Sequence, residues 1–240
     1  MISIIIITKQ EEKYLSKLLK SIKNQTYKGY EIIVSDAKST DKTRKIAKSY
    51  GCRIVEGGMP SVGRNNGAKI AKGEILLFLD SDVILHKNFL KLNIEEFNKR
   101  NLGTACPWVV PLSKKISDRI IYFLYNFWSR LMQFSVPCVS GFCIFCKKRI
   151  FDKSGGFDEK ISILEDLDFV KSTLKHGKFR ILKSSPIQVS VRKFEKEGRI
   201  RMTLKYVYMG IYFILFGKKE TSIVEYTFQG DVKVEKGKKI

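Results

Sequence analysis

The alternation within the first 80 residues is what most restricts how this chain can fold. Residues 2–7 form a nearly unbroken β-branched run, the pattern of a strand buried on both faces. Residues 11–23 place Leu15, Leu18, Leu19 and Ile22 at helical spacing. Residues 30–35 predict a second strand. Ser39-Thr40-Asp41 supplies N-cap residues for a helix that runs to Tyr50 and ends at Gly51. A short strand at 53–56, a helix at 61–72 closed by Gly73, and an apolar strand at 74–79 follow. Strands alternating with helices of about 10–15 residues make a parallel sheet with right-handed crossovers. The expected fold is therefore α/β: a Rossmann-like, mostly parallel sheet with flanking helices. In such sheets ligands sit beyond the carboxyl ends of the strands. Thr8, Asp36, Glu56 and Asp80-Ser81-Asp82 all fall at or just after strand ends, so they should share one rim.

The second half is less regular. Residues 88–99 read as a helix and 103–110 as a strand. Residues 119–133 form an amphipathic helix, with Arg119, Tyr122, Asn126, Arg130 and Gln133 on one stripe. Ile121, Leu124, Trp128 and Leu131 occupy the other. A strand at 137–146 precedes a turn at Gly155-Gly156. Residues 165–176 predict a helix, 179–182 and 187–191 two strands, and 196–216 a long helix before a Lys-rich tail. The chain reads either as a main unit, 1–195, with an appended amphipathic helix and basic tail, 196–240, or as one compact unit, and no linker marks a firm boundary.

At 240 residues, with 44% hydrophobic and 29% charged, the chain can build a core without a disulfide or metal staple, and wholesale disorder is excluded. Its net charge of +21 points to polyanionic company: nucleic acid, a nucleotide diphosphate or an anionic membrane surface. The first residues carry no basic n-region, and no apolar stretch reaches the ~20 residues of a spanning helix. Five cysteines, an odd number, read as reduced and cytosolic. Cys143 and Cys146 make a single CxxC, which reads as part of a buried strand rather than a metal site.

Asp80 and Asp82, one residue apart after a buried strand, can converge on one hard cation such as Mg²⁺ or Mn²⁺ and leave positions open for phosphate oxygens. Gly63-Arg64-Asn65-Asn66-Gly67-Ala68 reads as a basic helix start able to hold phosphate through Arg64 and backbone N–H groups. Glu165-Asp166-Leu167-Asp168 is an acidic helix N-terminus, favoured by the helix dipole.

The order of these motifs resembles the family-2 glycosyltransferases. The resemblance runs over roughly residues 2–183. Its motifs are Thr8 with Glu11-Glu12, Gln25-Thr26-Tyr27, Glu31-Ile32-Ile33-Val34, and Asp36 with Ser39-Thr40-Asp41. Gly63-Arg64-Asn65, Leu79-Asp80-Ser81-Asp82, Gly155-Gly156-Phe157-Asp158-Glu159, Glu165-Asp166-Leu167-Asp168 and Gly177-Lys178-Phe179 continue it. The chain has Lys9-Gln10 where the family usually has Tyr-Asn, and Ala37-Lys38 where it usually has Asp-Gly. The resemblance implies a GT-A fold and inverting transfer of a sugar from a nucleotide-sugar, with a divalent cation. It implies that Thr8 and Asp36 contact the base and that Glu11 or Glu12 lies near the ribose. It places Arg64 at the base or diphosphate, Asp80 at the ribose or metal, Asp82 on the metal, and Asp166 as the catalytic base. The Gln-x-x-Arg-Trp motif of processive synthases does not occur, so transfer of a single sugar is expected.

Residues 171–205 carry eleven Lys or Arg and two Glu. Arg192 and Lys193, just after a strand, suit a donor or acceptor phosphate. The helices at 119–133 and 196–216 read either as a basic, apolar-faced interfacial pair on an anionic membrane or as ordinary packing on the core. The expected setting is cytoplasmic, peripheral on the cytosolic membrane face, with a lipid-linked or glycan acceptor. Two rival classes are a metal-dependent nucleotidyltransferase and a basic nucleic-acid-binding protein. No helix-turn-helix, RNA-binding aromatic signature or zinc finger supports the second.

Overall fold

The computed structural model describes residues 1–134, 139, 141–161 and 164–216. One eight-stranded sheet runs through it in the order β3-β2-β1-β4-β7-β6-β8-β5. β1 (Ile2–Thr8), β2 (Tyr30–Asp36), β3 (Arg53–Glu56) and β4 (Ile75–Asp80) pair in parallel, as the alternation requires. β7 (Cys143–Lys147) pairs antiparallel with β4, and β6 (Thr104–Pro111) lies antiparallel to β7. β8 (Phe179–Val189) runs parallel to β6, and β5 (Val83–Ile84) caps the far edge antiparallel to β8.

The β-branched run of β1 is explained by its central place. Ile2, Ile4 and Ile6 face α1 (Glu12–Lys23), whose Leu15, Leu18, Leu19 and Ile22 are fully buried. Ile5 faces the other way, against Ala68 of α3 (Pro60–Ile70). Both faces of the strand are therefore core, and its buried Ser3 is satisfied by donating to Glu31 Oε1 and accepting from the Gly73 N–H. α3 lies so close to β1 that a Cβ on Gly67 would stand 2.4 Å from Ile5 Cγ2. The remaining helices are α2 (Thr43–Ser49), α4 (Phe89–Lys99), α5 (Ile116–Met132), α6 (Lys148–Ser154), α7 (Glu165–Thr173), α8 (Arg192–Glu197) and α9 (Arg199–Phe216).

Several expectations are corrected. α3 begins at Pro60, so Gly63 is already inside the helix, and its N–H donates to Met59 O at 2.9 Å. The Gly63–Ala68 segment is thus not a free helix start, and its glycines serve close packing on β1. The two strands expected at 179–182 and 187–191 are one strand, β8, paired along β6 across an irregularity between Pro107 and Val109. The long C-terminal helix is split by Gly198, whose φ of 88° suits glycine. The split separates α8 from α9. The 137–146 strand begins only at Cys143; residues 135–138 and 140 lie outside the described residues, as does the Lys-rich tail after 216. Cys143 and Cys146 are buried in β7, and burial pushes the Cys146 thiol up to about 12.

Candidate active site

β1, β2 and β4 end together at the rim beside the change of strand direction. Register places Thr8 opposite Asp36, and Ile7 opposite Asp80. Thr8 Oγ1 donates to Asp36 Oδ1 at 3.0 Å, and the Ser39 N–H donates to Asp36 Oδ2 at 3.0 Å. Asp36 is fully buried, with Arg44 3.5 Å away. The loops after β1 and β2 are clasped by Gln10, which has a φ of 55°. Its side-chain carbonyl accepts from the Thr40 and Asp41 N–H groups, and its amide donates to Thr40 Oγ1. Glu12 accepts from the Lys42 N–H, and Asp41 accepts from the Glu12 N–H. Glu12 thus contributes to the clasp.

The centre of the rim is organised by Arg64. Its guanidinium is buried, with Nη1 2.7 Å from Glu165 Oε1 and Nη2 3.3 Å from Asp80 Oδ1. Phe157 lies beneath it at 5.2 Å. Burial opposes the charge on Arg64, but Glu165 and Asp80 outweigh that and raise its pKa. Asp166 stands beside Glu165 at the start of α7 and accepts from the Leu167 N–H at 2.9 Å. A Cβ on Gly141 would come 3.0 Å from Arg64 Nη2 and 3.1 Å from Asp166 Oδ2, so this loop crosses the pair as bare backbone. Leu164, just before α7, has a φ of 62°, a conformation that costs a branched side chain about 1–2 kcal/mol. Burial pushes Asp166 up to about 7, helped by Glu165 and opposed by Arg64. Burial likewise pushes Asp80 up to about 6, against the pull of Arg64.

The far side of the rim is organised by Arg192, the first residue of α8. Its guanidinium is bidentate on Glu11, at 2.8 and 3.0 Å, and its Nε lies 2.8 Å from Asp82 Oδ2. It also stacks over Tyr14 at 4.3 Å. Burial pushes Glu11 up to about 7 despite Arg192. Lys193 and, on α9, Tyr206 lie within electrostatic reach of Asp80. Tyr206 also senses Asp166.

The site therefore gathers five carboxylates, Glu11, Asp80, Asp82, Glu165 and Asp166, against Arg64, Arg192 and Lys193. Such an excess of acid repels a nucleotide diphosphate unless a cation enters with it. Among the described residues no three His, Cys, Asp or Glu side chains form a closed cation cage. Asp80 and Asp82 can supply two oxygen ligands and leave the others to phosphate and water, as Mg²⁺ sites commonly do. The donor set fits a divalent cation on both counts.

Thr8, Glu11, Asp36, Arg64, Asp80, Asp82, Asp166 and Arg192 thus all lie at or around this rim, and Glu12 sits at its margin. Tyr14, Tyr206 and the Gln10 clasp were not anticipated. Tyr14 is one turn along α1 from Glu11, a spacing that places both on one helix side. Nothing in the local sequence points to Tyr206, which lies on α9, beyond the break at Gly198.

The model of the family described as Glycosyl transferase family 2 matches residues 3–155. A "Dolichyl N-acetyl-alpha-D-glucosaminyl phosphate 3-beta-D-2,3-diacetamido-2,3-dideoxy-beta-D-glucuronosyltransferase" of Methanococcus voltae is 29% identical over 227 residues, 82% of this chain and 70% of that protein. A poly(ribitol-phosphate) beta-glucosyltransferase of Bacillus spizizenii is 40% identical over 111 residues, 42% of this chain but 17% of that protein. Among solved structures, S. aureus TarS 1-349 in complex with UDP superposes with a TM-score of 0.62 at 21% identity, covering 88% of this chain and 65% of that one. The mannosyltransferase PcManGT from Pyrobaculum calidifontis, in complex with GDP-Man and Mn2+, gives 0.69 at 17% identity over 88% and 64%. The chain therefore spans well under the full length of most of these proteins.

Proposed function

From the premise that the chain belongs to glycosyl transferase family 2 and has the GT-A fold, we propose that it moves a single sugar, with inversion, from a nucleotide-sugar to a hydroxyl of a lipid-linked or glycan acceptor. The observation that carries this reading is Arg64 joining Asp80, at the end of β4, to Glu165 beside Asp166, at the start of α7. On this reading, a donor-phosphate site and a carboxylate base stand side by side at that junction.

Thr8, Asp36, Glu11 and Glu12 belong to the base and ribose end of the donor site. Arg64 and Arg192 belong to the diphosphate end, where a fixed guanidinium fork matches phosphate oxygens. Asp80 and Asp82 would hold a divalent cation, Mg²⁺ or Mn²⁺. When bound, such an ion neutralises charge developing on a departing diphosphate. The Mn2+ in the mannosyltransferase complex supports this choice. Inversion requires a base on the sugar face opposite the leaving group. Asp166 takes that role: its carboxylate accepts the proton of the acceptor hydroxyl as the oxygen attacks. A base serves best with a pKa near the working pH, and burial brings Asp166 to about 7. The proposed setting is the cytosolic membrane face; the dolichyl N-acetyl-alpha-D-glucosaminyl phosphate in the name of the M. voltae relative supports a lipid-linked acceptor.

The experiment is a thermal-shift screen of nucleotide-sugars with Mg²⁺ or Mn²⁺, followed by product analysis. A glycosyltransferase releases a nucleoside diphosphate and a nucleotidyltransferase releases pyrophosphate. Pyrophosphate, or salt-sensitive DNA binding with no nucleotide-sugar binding, would overturn the reading.

A further inference from the structure

α5 is inside out. Its buried stripe is polar: Asp118, Asn126 and Ser129, with Tyr122, continued by Gln133. The reason lies in the strands beneath. Asn126 exchanges two hydrogen bonds with the Val109 backbone, at 3.0 and 2.8 Å, where β6 slips register against β8. Gln133 Oε1 accepts from the Ile181 N–H of β8 at 3.1 Å. The polar side chains thus satisfy strand backbone, and the apolar face is turned outward. Ile120, Phe123, Leu124, Phe127, Trp128 and Leu131 are 50–63% exposed. An exposed apolar stripe of this length is unusual on a monomeric surface.

α9 extends the same surface. Arg199 fixes its start to α5 through Asp118, with Nε–Oδ1 at 2.5 Å and Nη2–Oδ2 at 3.1 Å. Ile120 and Ile200 line one open depression between the two helices. Ile200, Leu204, Val207 and Ile211 are also exposed, at the helical spacing of one face. The free charge is of one sign: Arg119, Arg130 and Arg201 are exposed, Asp118 is buried on Arg199, and α9 contains no acid.

We propose that the joint face of α5 and α9 docks onto an anionic lipid bilayer, lying in the interface plane. A second copy is disfavoured because a two-fold contact would set this cationic rim against itself. No described helix is long and apolar enough to cross a membrane, which leaves the interfacial mode, with aromatic side chains such as Trp128 at headgroup depth. Of the eleven cations of residues 171–205, Arg192 and Arg199 are committed to the carboxylates of Glu11, Asp82 and Asp118, and the others lie on or between α7, β8, α8 and α9, so α5 supplies most of the insertion and the exposed cations the attraction. α9 follows directly on α8, whose first residue, Arg192, holds Glu11 and Asp82 at the rim, so docking sets the mouth of the site near the bilayer surface. That last step rests on the proposed transferase reading and narrows the acceptor to a hydroxyl on a membrane-anchored lipid. The docking itself does not depend on it.

The test is flotation of the full chain with phosphatidylcholine vesicles with and without ~30% phosphatidylglycerol. Docking predicts co-flotation with anionic vesicles at low salt and a blue shift of Trp128 fluorescence that Trp128→Phe abolishes. Phe123→Ser/Phe127→Ser, on the exposed face, should weaken partition at least about tenfold and leave the melting temperature and donor binding unchanged. Wild-type protein that stays unbound at low salt, a double variant that floats as well as wild type, or a stable dimer that buries Trp128 would overturn the proposal. Donor binding lost with flotation intact would sink the transferase reading alone.

Discussion

Arg64 Nη1 lies 2.7 Å from Glu165 Oε1, a buried ion pair between side chains 101 residues apart. The same guanidinium reaches Asp80, so removing it strands several carboxylates in a place that burial already makes costly for charge. Breaking one partner of such a cluster costs about 3–5 kcal/mol. Arg64→Met should lose about that much in urea unfolding at neutral pH. It should lose less near pH 5, where Asp80 and Asp166, already pushed up to about 6 and 7, are protonated. Equal losses at both pH values would mean that the ion pairs are not what Arg64 contributes.

The close approach of α3 to β1 gives a second test. A Cβ on Gly67 would meet Ile5 Cγ2 at 2.4 Å, and Ile5 is fully buried. Gly67→Ala gains helix propensity, about 1 kcal/mol, but overpacking costs typically 1–3 kcal/mol. The melting temperature should fall. In combination with Ile5→Ala the two changes should be non-additive by about 0.5 kcal/mol or more; strict additivity would show that the contact is not felt.

The sheet was legible because its first four strands are local events. The run of isoleucines in β1, the apolar stripe of α1 and the glycine after α2 each declare themselves within a few residues. The rim acids were legible for the same reason, since strand ends fix where side chains emerge. What was not legible depends on partners far away. Asn126 and Gln133 look solvent-facing by composition, but strand carbonyls and amides claim them. Arg192 looked like a phosphate ligand, and only the fold shows it holding Glu11 and Asp82. The break at Gly198 is visible as a glycine, but that it starts a new helix tied to α5 through Arg199 and Asp118 is tertiary.

Asp82 is expected to confer cation dependence on donor binding. Asp82→Ala should make nucleoside diphosphate affinity the same in Mn²⁺ and in EDTA, as read by calorimetry. Its fold should survive, because Arg192 keeps Glu11 and the lost pair lies at the rim. A variant whose affinity still rises with Mn²⁺ would remove Asp82 from the cation site.

The buried carboxyls set a pH dependence of stability in the cation-free protein. Glu11, Asp80 and Asp166 have folded pKa values above the ordinary carboxylate value, at about 7, 6 and 7. Groups raised in this way stabilise the fold fully below about pH 4, and that contribution is lost as pH climbs through 6 to 7. Glu31, Glu96 and Asp118 are shifted the other way. Hydrogen bonds outweigh burial for Glu31 and Glu96, and Arg199 leads for Asp118. Their contribution is lost as pH falls below about 4. In EDTA the melting temperature should therefore peak near pH 5 and drop several degrees by pH 8, at about 2–4 °C per kcal/mol. A melting temperature that rises steadily to pH 8 would contradict these shifts.

Asp166 carries the last expectation. Its carboxyl sits beside Glu165 and Arg64 and is half-buried at the mouth of the site. A base with a pKa near 7 should give a turnover that falls as pH drops below about 7, because protonation removes the acceptor for the hydroxyl proton. Asp166→Asn keeps the size, the Leu167 contact and the donor site, and should lower turnover by roughly 10²–10⁴-fold. It should also erase the acidic limb of the profile. Asp168 lies two residues on, about 200° around the helix, and lines a separate polar cleft with Asn65 and Gly156. Asp168→Asn should leave turnover within a few-fold of wild type. Product assays across pH 5.5–8.5 on these two variants and Glu165→Gln decide the matter. Near-normal turnover in Asp166→Asn, with activity abolished by Glu165→Gln or Asp168→Asn, would move the base to another carboxylate.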